Sequence, residues 1–156
     1  MSECVIVPFE PKYLDDVLGV ESECFRSEDR YDRFIFNWFI ARNPLFYLLR
    51  CGDETAGYIL ATIERGVCHI DSIAVKPKWR GRGLGEALLK KTLDACRVRG
   101  ARRAILEVAV DNEPAIRLYL KTGFRVKGVI HGYYVDRDAY LMELTLHDQL
   151  DSRVPW

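Results

Sequence analysis

Apolar positions along the chain recur at two different periods, and the switches between them mark the elements. Cys4 to Phe9 is a short apolar run ending near Pro8 and Pro11, which predicts a first strand. From Pro11, the pairs Tyr13-Leu14, Val17-Leu18 and Cys24-Phe25 fall on one helical stripe. Arg26 to Arg30 is a charged break. Tyr31 to Arg42 then places Phe34 and Trp38, and Ile35 and Phe39, four apart, which predicts a second helix with these residues on one face, stopped at Asn43-Pro44. Phe46 to Cys51 and Ala56 to Glu64 read as strands joined through Gly52-Asp53-Glu54-Thr55, and a further strand runs from Val67 to Lys76. Leu84, Leu88, Leu89, Leu93 and Cys96 form the apolar stripe of a helix from Leu84 to about Arg99, ended by Gly100. Ala104 to Val110 is a strand, and Asn112 to Thr122 is a helix with Ala115, Ile116, Leu118 and Tyr119 inward, stopped by Gly123. Phe124 to Tyr134 and Ala139 to Leu146 are the last two strands, and the tail from His147 to Trp156 has no assignment.

The order is β-α-α-β-β-β-α-β-α-β-β. The segment from Val67 to Val110 is strand, helix, strand, long enough for a right-handed crossover between parallel strands. The expected fold is α/β: one mixed seven-stranded sheet with helices on both faces. A chain of 156 residues without a low-complexity linker or repeat suits a single domain, residues 1–156, with 147–156 as a C-terminal tail.

Composition narrows the partners. Lys plus Arg and Asp plus Glu are 23 each, so the net charge is zero, and no direct nucleic-acid partner that relies on bulk charge is expected. No apolar run approaches the ~20 residues of a membrane span, and the start lacks a signal-peptide pattern. The five cysteines are widely spaced and odd in number, which predicts reduced thiols in a cytoplasmic protein.

The densest chemistry lies in Lys76-Pro77-Lys78-Trp79-Arg80-Gly81-Arg82-Gly83-Leu84-Gly85, four cations and three glycines between a strand and a helix start. The first helical turn has backbone N–H groups without internal partners, and the helix dipole adds positive potential. Glycine lets a phosphate approach the backbone, so the loop suits a pyrophosphate, with Arg80, Arg82, Lys76 and Lys78 adding charge. The loop lacks Gly-Lys-Ser/Thr, and its G-x-G-x-G spacing is not that of the dinucleotide fingerprint. The plain alternative is a tight turn with solvated charges.

Here the sequence resembles the GNAT superfamily of acyltransferases, whose Arg/Gln-x-x-Gly-x-Gly/Ala signature is matched by Arg80, Gly83 and Gly85. The likeness continues through His69-Ile70-Asp71-Ser72-Ile73-Ala74-Val75, Leu106-Glu107-Val108, Asn112-x-x-Ala115-Ile116-x-Leu118-Tyr119, Gly123-Phe124, Tyr133-Tyr134 and Asp138-Ala139-Tyr140-Leu141-Met142. It is similar to Ard1-like N-terminal acetyltransferases of archaeal type and to RimI. Departures fall on the acceptor side. Ala109 stands where an arginine is usual, the hairpin Asp136-Arg137-Asp138 is one residue short, and Ser27 to Tyr31 replaces the usual Leu-Pro-Glu-x-Tyr loop.

The resemblance implies acetyl-CoA as cosubstrate, no metal, and a protein or peptide N-terminus as acceptor, with a ribosome or auxiliary subunit as a conceivable partner. It implies cofactor contacts from Ile73, Ala74, Val75, Arg80, Gly81, Arg82, Gly83, Leu84, Gly85, Asn112 and Tyr119. Backbone groups of Ile73 and Val75 are expected to bond the pantetheine arm as an added strand would. Glu107 is the first candidate base: a charge among apolar strand residues asks for a partner or a task, and burial is expected to raise its pKa. The plain alternative is pairing with an arginine. His69, on the neighbouring strand, is the second candidate, and Asp71 either orients it or is solvated. Tyr119 is the candidate acid for the leaving thiolate, against the alternative of a core aromatic. Asn112 also suits a helix N-cap. Tyr31, Tyr133 and Tyr134 are expected to line the peptide groove. Other acceptors, lysine side chains or a small amine, and a non-catalytic acetyl-CoA-binding module are the alternatives.

Overall fold

Short-range capping sets most of the element boundaries in the computed structural model, which describes residues 3–146. The unassigned tail from His147 lies outside those residues. Among the described residues there are seven strands and four α-helices: β1 (Cys4–Pro8), α1 (Leu14–Cys24), α2 (Arg33–Ile40), β2 (Leu45–Cys51), β3 (Glu54–Glu64), β4 (Val67–Val75), α3 (Leu84–Val98), β5 (Arg103–Ala109), α4 (Glu113–Thr122), β6 (Arg125–Ile130) and β7 (Ala139–Thr145). The order matches the one expected. Helix α2 starts two residues late because the Asp32 side chain caps it, accepting from Ile35 N at 2.9 Å. The strand expected to reach Tyr134 stops at Ile130. Beyond it the Asp138 carboxylate takes Gly132 N at 2.8 Å and His131 Nδ1 at 3.1 Å, which closes a loop in place of a ladder.

The strands form one sheet in the order β1-β2-β3-β4-β5-β7-β6. The β4–β5 ladder is parallel and comprises Val67 to His69 against Arg103 to Ile105; both strands run on beyond it. The chain divides into two compact units, one running to Thr62 and including Asp71–Thr92, the other Ile63–Ile70 with the chain from Leu93 onward.

In the first unit Leu14, Val17 and Val20 of α1 pack with Phe36 of α2, Phe46 and Leu48 of β2, and Tyr58 and Leu60 of β3. The Phe36, Phe46 and Tyr58 rings lie 5.7 to 6.1 Å apart. Burying each such ring is worth about 1.5–3 kcal/mol. The inward face of α2 keeps Phe39 of the expected stripe, which packs against this core, and departs from it elsewhere. Phe36 is buried, whereas Phe34 is 76% exposed and Trp38 47%. The Arg42 guanidinium lies 3.5 Å from the Trp38 ring centroid and covers part of that outward face.

In the second unit β5 pairs with β7 from Arg103↔Thr145 to Ala109↔Ala139. Ala104, Leu106 and Val108 are buried, with Phe124, Tyr119 and Met142. The opposite register, Ile105 and Glu107, is half-buried. The cysteines depart from expectation: Cys4–Cys51 and Cys68–Cys96 form disulfides, and Cys24 alone is free. The antiparallel register sets Cys4 directly opposite Cys51 across β1 and β2, a pairing that spacing along the chain does not reveal.

Candidate active site

The glycine loop lies in the first unit. After β4, Pro77–Trp79 makes a single 3₁₀ turn; Gly81 and Gly83 then take φ of 78° and 75°, and α3 begins at Leu84. That left-handed backbone disfavours any residue with a Cβ. A Cβ built at either glycine meets no atom within 4 Å, so open space lies over the backbone just before the helix start. This is the geometry an anion needs at a helix N-terminus, and it fits the pyrophosphate of acetyl-CoA.

The charges around the loop are arranged differently from the expectation. Lys76 Nζ pairs with Glu54 at 3.1 Å and Glu23 at 3.3 Å, and Lys78 Nζ with Glu54 at 2.8 Å. The Lys78 hydrogen bond, seconded by Lys76 against a desolvation penalty, draws the Glu54 carboxyl down to about 2. Two of the four cations thus brace β3 against the strand end. Arg80 Nε donates to Val75 O at 2.7 Å, and the Arg82 guanidinium lies 4.9 Å from the Trp79 ring centroid. Ile73, Ala74 and Val75 end β4, one residue before the expected end at Lys76. The Val75 carbonyl is occupied, since Cys24 Sγ donates to it as well at 3.5 Å. A Cβ at Gly57 would lie 2.4 Å from Ala74 O, so only glycine lets β3 approach here.

Tyr31 belongs to the same unit. Its ring meets Phe36 edge-on and stacks on Phe39, both at 5.7 Å, and its hydroxyl donates to Asp71 O at 3.2 Å. Its N–H donates to Glu21 Oε2 at 2.9 Å. Glu21 also accepts from the Tyr58 hydroxyl, which lies 2.7 Å from Ser72 Oγ. Burial draws the Glu21 carboxyl above its ordinary value, with the Tyr58 and Tyr31 bonds opposing, and pushes the Tyr58 phenol well up. Sequence reasoning missed Glu21, Tyr58 and Ser72. The signal was present: Val17, Val20, Glu21 and Cys24 follow helical spacing, so Glu21 is a charge on an inward stripe. The Asp71 carboxylate accepts from Thr62 Oγ1 at 2.9 Å.

The second unit holds the acid–base candidates. The register sets His69 beside Ile105, and Glu107 shares a face with Ile105 by strand alternation. Accordingly His69 Nε2 and Glu107 Oε1 are 2.7 Å apart. The Tyr133 hydroxyl donates to the same carboxylate oxygen at 3.3 Å. Glu107 is thus held by an imidazole and a phenol, where an arginine was the plain alternative. Its side chain is 14% exposed and that of His69 33%, so both are reachable yet poorly solvated.

Tyr134 follows Tyr133 in the loop before β7, the two rings 5.0 Å apart, with the Arg137 guanidinium 4.7 Å from the Tyr134 centroid. Asn112 caps α4 through Ala115 N at 3.3 Å. Tyr119 is buried against Phe124, ring centroids 6.0 Å apart. Burial, with Tyr134 nearby, holds its phenol well above the ordinary value, so it stays protonated and able to donate.

In the first unit a glycine loop leading into a helix suits a pyrophosphate-bearing ligand, and in the second a carboxylate bonded to a histidine across adjacent parallel strands suits proton transfer. Comparison with known proteins agrees. A family model described as "Acetyltransferase (GNAT) family" matches residues 13–124. The chain is 34% identical over 139 residues to the "Putative [ribosomal protein bS18]-alanine N-acetyltransferase" of Bacillus subtilis, covering 86% of this chain and 91% of the relative. It is 39% identical over 115 residues to the N-alpha-acetyltransferase of Sulfurisphaera tokodaii, covering 65% of this chain and 69% of the relative. The crystal structure of Ard1 from Thermoplasma volcanium matches with a TM-score of 0.86 at 26% identity, covering 93% of this chain and 99% of that one. The loop, the strand that precedes it and the fold around them are those of the GNAT acetyltransferases, the family to which this chain belongs, as an N-acetyltransferase.

Proposed function

We propose that the chain acetylates the N-terminal amine of proteins by direct transfer from acetyl-CoA. The observation that carries this reading is the Glu107 carboxylate held by His69 Nε2 and the Tyr133 hydroxyl. An α-amine has a pKa of about 7.7–8.0, so a fair fraction is neutral near pH 7. A lysine amine near ~10.4 would ask for a stronger base. A carboxylate–imidazole pair suits the easier task. The relatives named for alanine and N-alpha acetylation support the same acceptor.

Acetyl-CoA supplies an activated thioester carbonyl. The Gly81–Gly85 backbone and Arg82 would hold its pyrophosphate, the end of β4 from Ile73 to Val75 its pantetheine arm, and Asn112 would add a contact. Glu107, directly or through His69, accepts the proton that the amine loses as its nitrogen bonds the carbonyl carbon. As the nitrogen displaces the thiol, Tyr119 would give its hydroxyl proton to the leaving sulfur. By the family resemblance, Tyr31, Tyr133 and Tyr134 would border the acceptor. No helix among the described residues is long and apolar enough to cross a membrane. We place the activity in the cytoplasm, where acetyl-CoA meets new N-termini, with a ribosome or auxiliary subunit as the partner class.

The test is a panel of free peptides differing in their first residue, with initial rates measured at fixed acetyl-CoA. Turnover that depends on the first residue supports the reading, and no turnover on any free N-terminus contradicts it.

A further inference from the structure

Glu21 is 2% exposed, and it is the one carboxyl buried to that degree among the described residues. The core around it has no packing need for a charge, since Val17 and Val20 of the same helix and Phe36 opposite are fully buried apolar neighbours. An apolar residue of similar volume commonly serves such a site as well or better for stability. What the carboxylate adds is two directed bonds. Oε2 accepts from Tyr31 N at 2.9 Å, and Oε1 accepts from the Tyr58 hydroxyl, itself 2.7 Å from Ser72 Oγ on β4.

The first of these bonds acts on a loop. Between α1 and α2 the chain passes through Phe25, the 3₁₀ turn Ser27–Asp29 and Tyr31. Arg30 ties it to the end of α1, donating from Nε to Phe25 O at 2.8 Å and from Nη2 to Ser22 O at 2.9 Å. Tyr31 is fixed at both ends, its N–H by Glu21 and its hydroxyl by Asp71 O at 3.2 Å. Asp71 is steadied in turn by Thr62 Oγ1 at 2.9 Å. A loop bonded this way is a preformed wall, and preformed walls lower the ordering cost of the ligand they border.

We propose that Glu21 is a positioning residue for the acceptor: buried in α1, it holds Tyr31 and its loop in the conformation that receives the acceptor amine's chain. The proposal rests on the reading that Tyr31 borders the acceptor. It predicts a selective effect, because Glu21 bonds neither the glycine loop nor the Glu107–His69 pair.

The test uses the full chain with acceptor and acetyl-CoA varied separately. Glu21→Leu keeps the apolar fit and deletes both bonds, while Glu21→Gln keeps the shape and one acceptor oxygen. Loss of the wall should raise the acceptor KM roughly tenfold in Glu21→Leu, and less in Glu21→Gln, because small misplacements at a site carry costs of that order or more. The KM for acetyl-CoA and kcat should stay within about twofold of wild type. Tyr58→Phe removes only the second donor, keeps the ring in the core, and should move the acceptor KM in the same direction. An unchanged acceptor KM in a folded Glu21→Leu overturns the proposal, as does an equal rise in both KM values. Should the Glu21 variants not fold, an unchanged acceptor KM in Tyr58→Phe overturns it. If wild type acetylates a lysine or a small amine instead, the same split is measured with that acceptor. Failure of the proposal is thereby separable from failure of the N-terminal reading.

Discussion

A carboxylate within an apolar strand needs either a counter-charge or hydrogen bonds, and Glu107 has a histidine and a tyrosine. Changing Glu107→Gln keeps the shape and removes the base. Steady-state assays should show kcat lowered roughly 10²-fold with the acetyl-CoA KM little changed, the usual scale for losing a general base. Tyr119→Phe should also lower kcat; full kcat in a folded Tyr119→Phe would leave the phenol only a packing role against Phe124. Glu54 gives a direct electrostatic check. Its folded pKa of about 2 lies below the ordinary value, so its pairing with Lys78 and Lys76 stabilises the fold above about 4.3 and that contribution is lost as pH falls through about 2. A carbon-detected titration should find the Glu54 midpoint near about 2 and moved upward by Lys78→Ala, the largest contributor. At this scale Glu107, His69 and Tyr119 were legible as candidates because each interrupts an apolar pattern or matches a family motif. Glu54 was not, because its partners lie 22 and 24 positions away and nothing in β3 marks it.

Elements were easier to read than their faces. The stripe of α3 was legible because Leu88, Leu89, Leu93 and Cys96 repeat at helical spacing, and all four are buried. In α2 aromatic residues crowd every side, so spacing alone could not tell Phe36, which enters the core, from Phe34 and Trp38, which do not. The end of β6 was missed because Asp138, seven positions past His131, closes the loop by side-chain bonds that no local pattern announces. The glycine loop was legible as a tight turn from a strand into a helix, since strand, glycines and helix start follow one another along the chain. Its charge arrangement was not, for Lys76 and Lys78 turn to Glu54. The left-handed backbone at Gly83 allows a sharp test. Gly83→Ala should cost about 1–2 kcal/mol by placing a Cβ in that conformation. It should also raise the acetyl-CoA KM without moving the acceptor KM. Denaturant unfolding and two-substrate kinetics check the two halves of that statement.

For the molecule as a whole, element order carried the mixed sheet and its parallel β4–β5 pair, but not the insertion of β7 between β5 and β6, which depends on long-range pairing. Cysteine pairing was not readable, because the partners are set by strand register and by where α3 passes, with separations of 47 and 28 positions. Protein purified without reductant should lose stability when the disulfides are reduced, on the order of 2–4 kcal/mol for each bond that contributes by constraining the unfolded chain. Thermal unfolding with and without reductant measures it, and an unchanged midpoint would assign the cysteine pairs no stabilising role. The central claim, that a GNAT enzyme with a Glu107–His69 pair acts on protein N-termini, is tested most directly on a single peptide carrying one free α-amine and one lysine. Incubated with acetyl-CoA and sequenced by tandem mass spectrometry, the peptide should gain one acetyl group on its first residue, and Glu107→Gln should slow that gain. Acetylation confined to the lysine, or no acetylation while the α-amine is free, would contradict it.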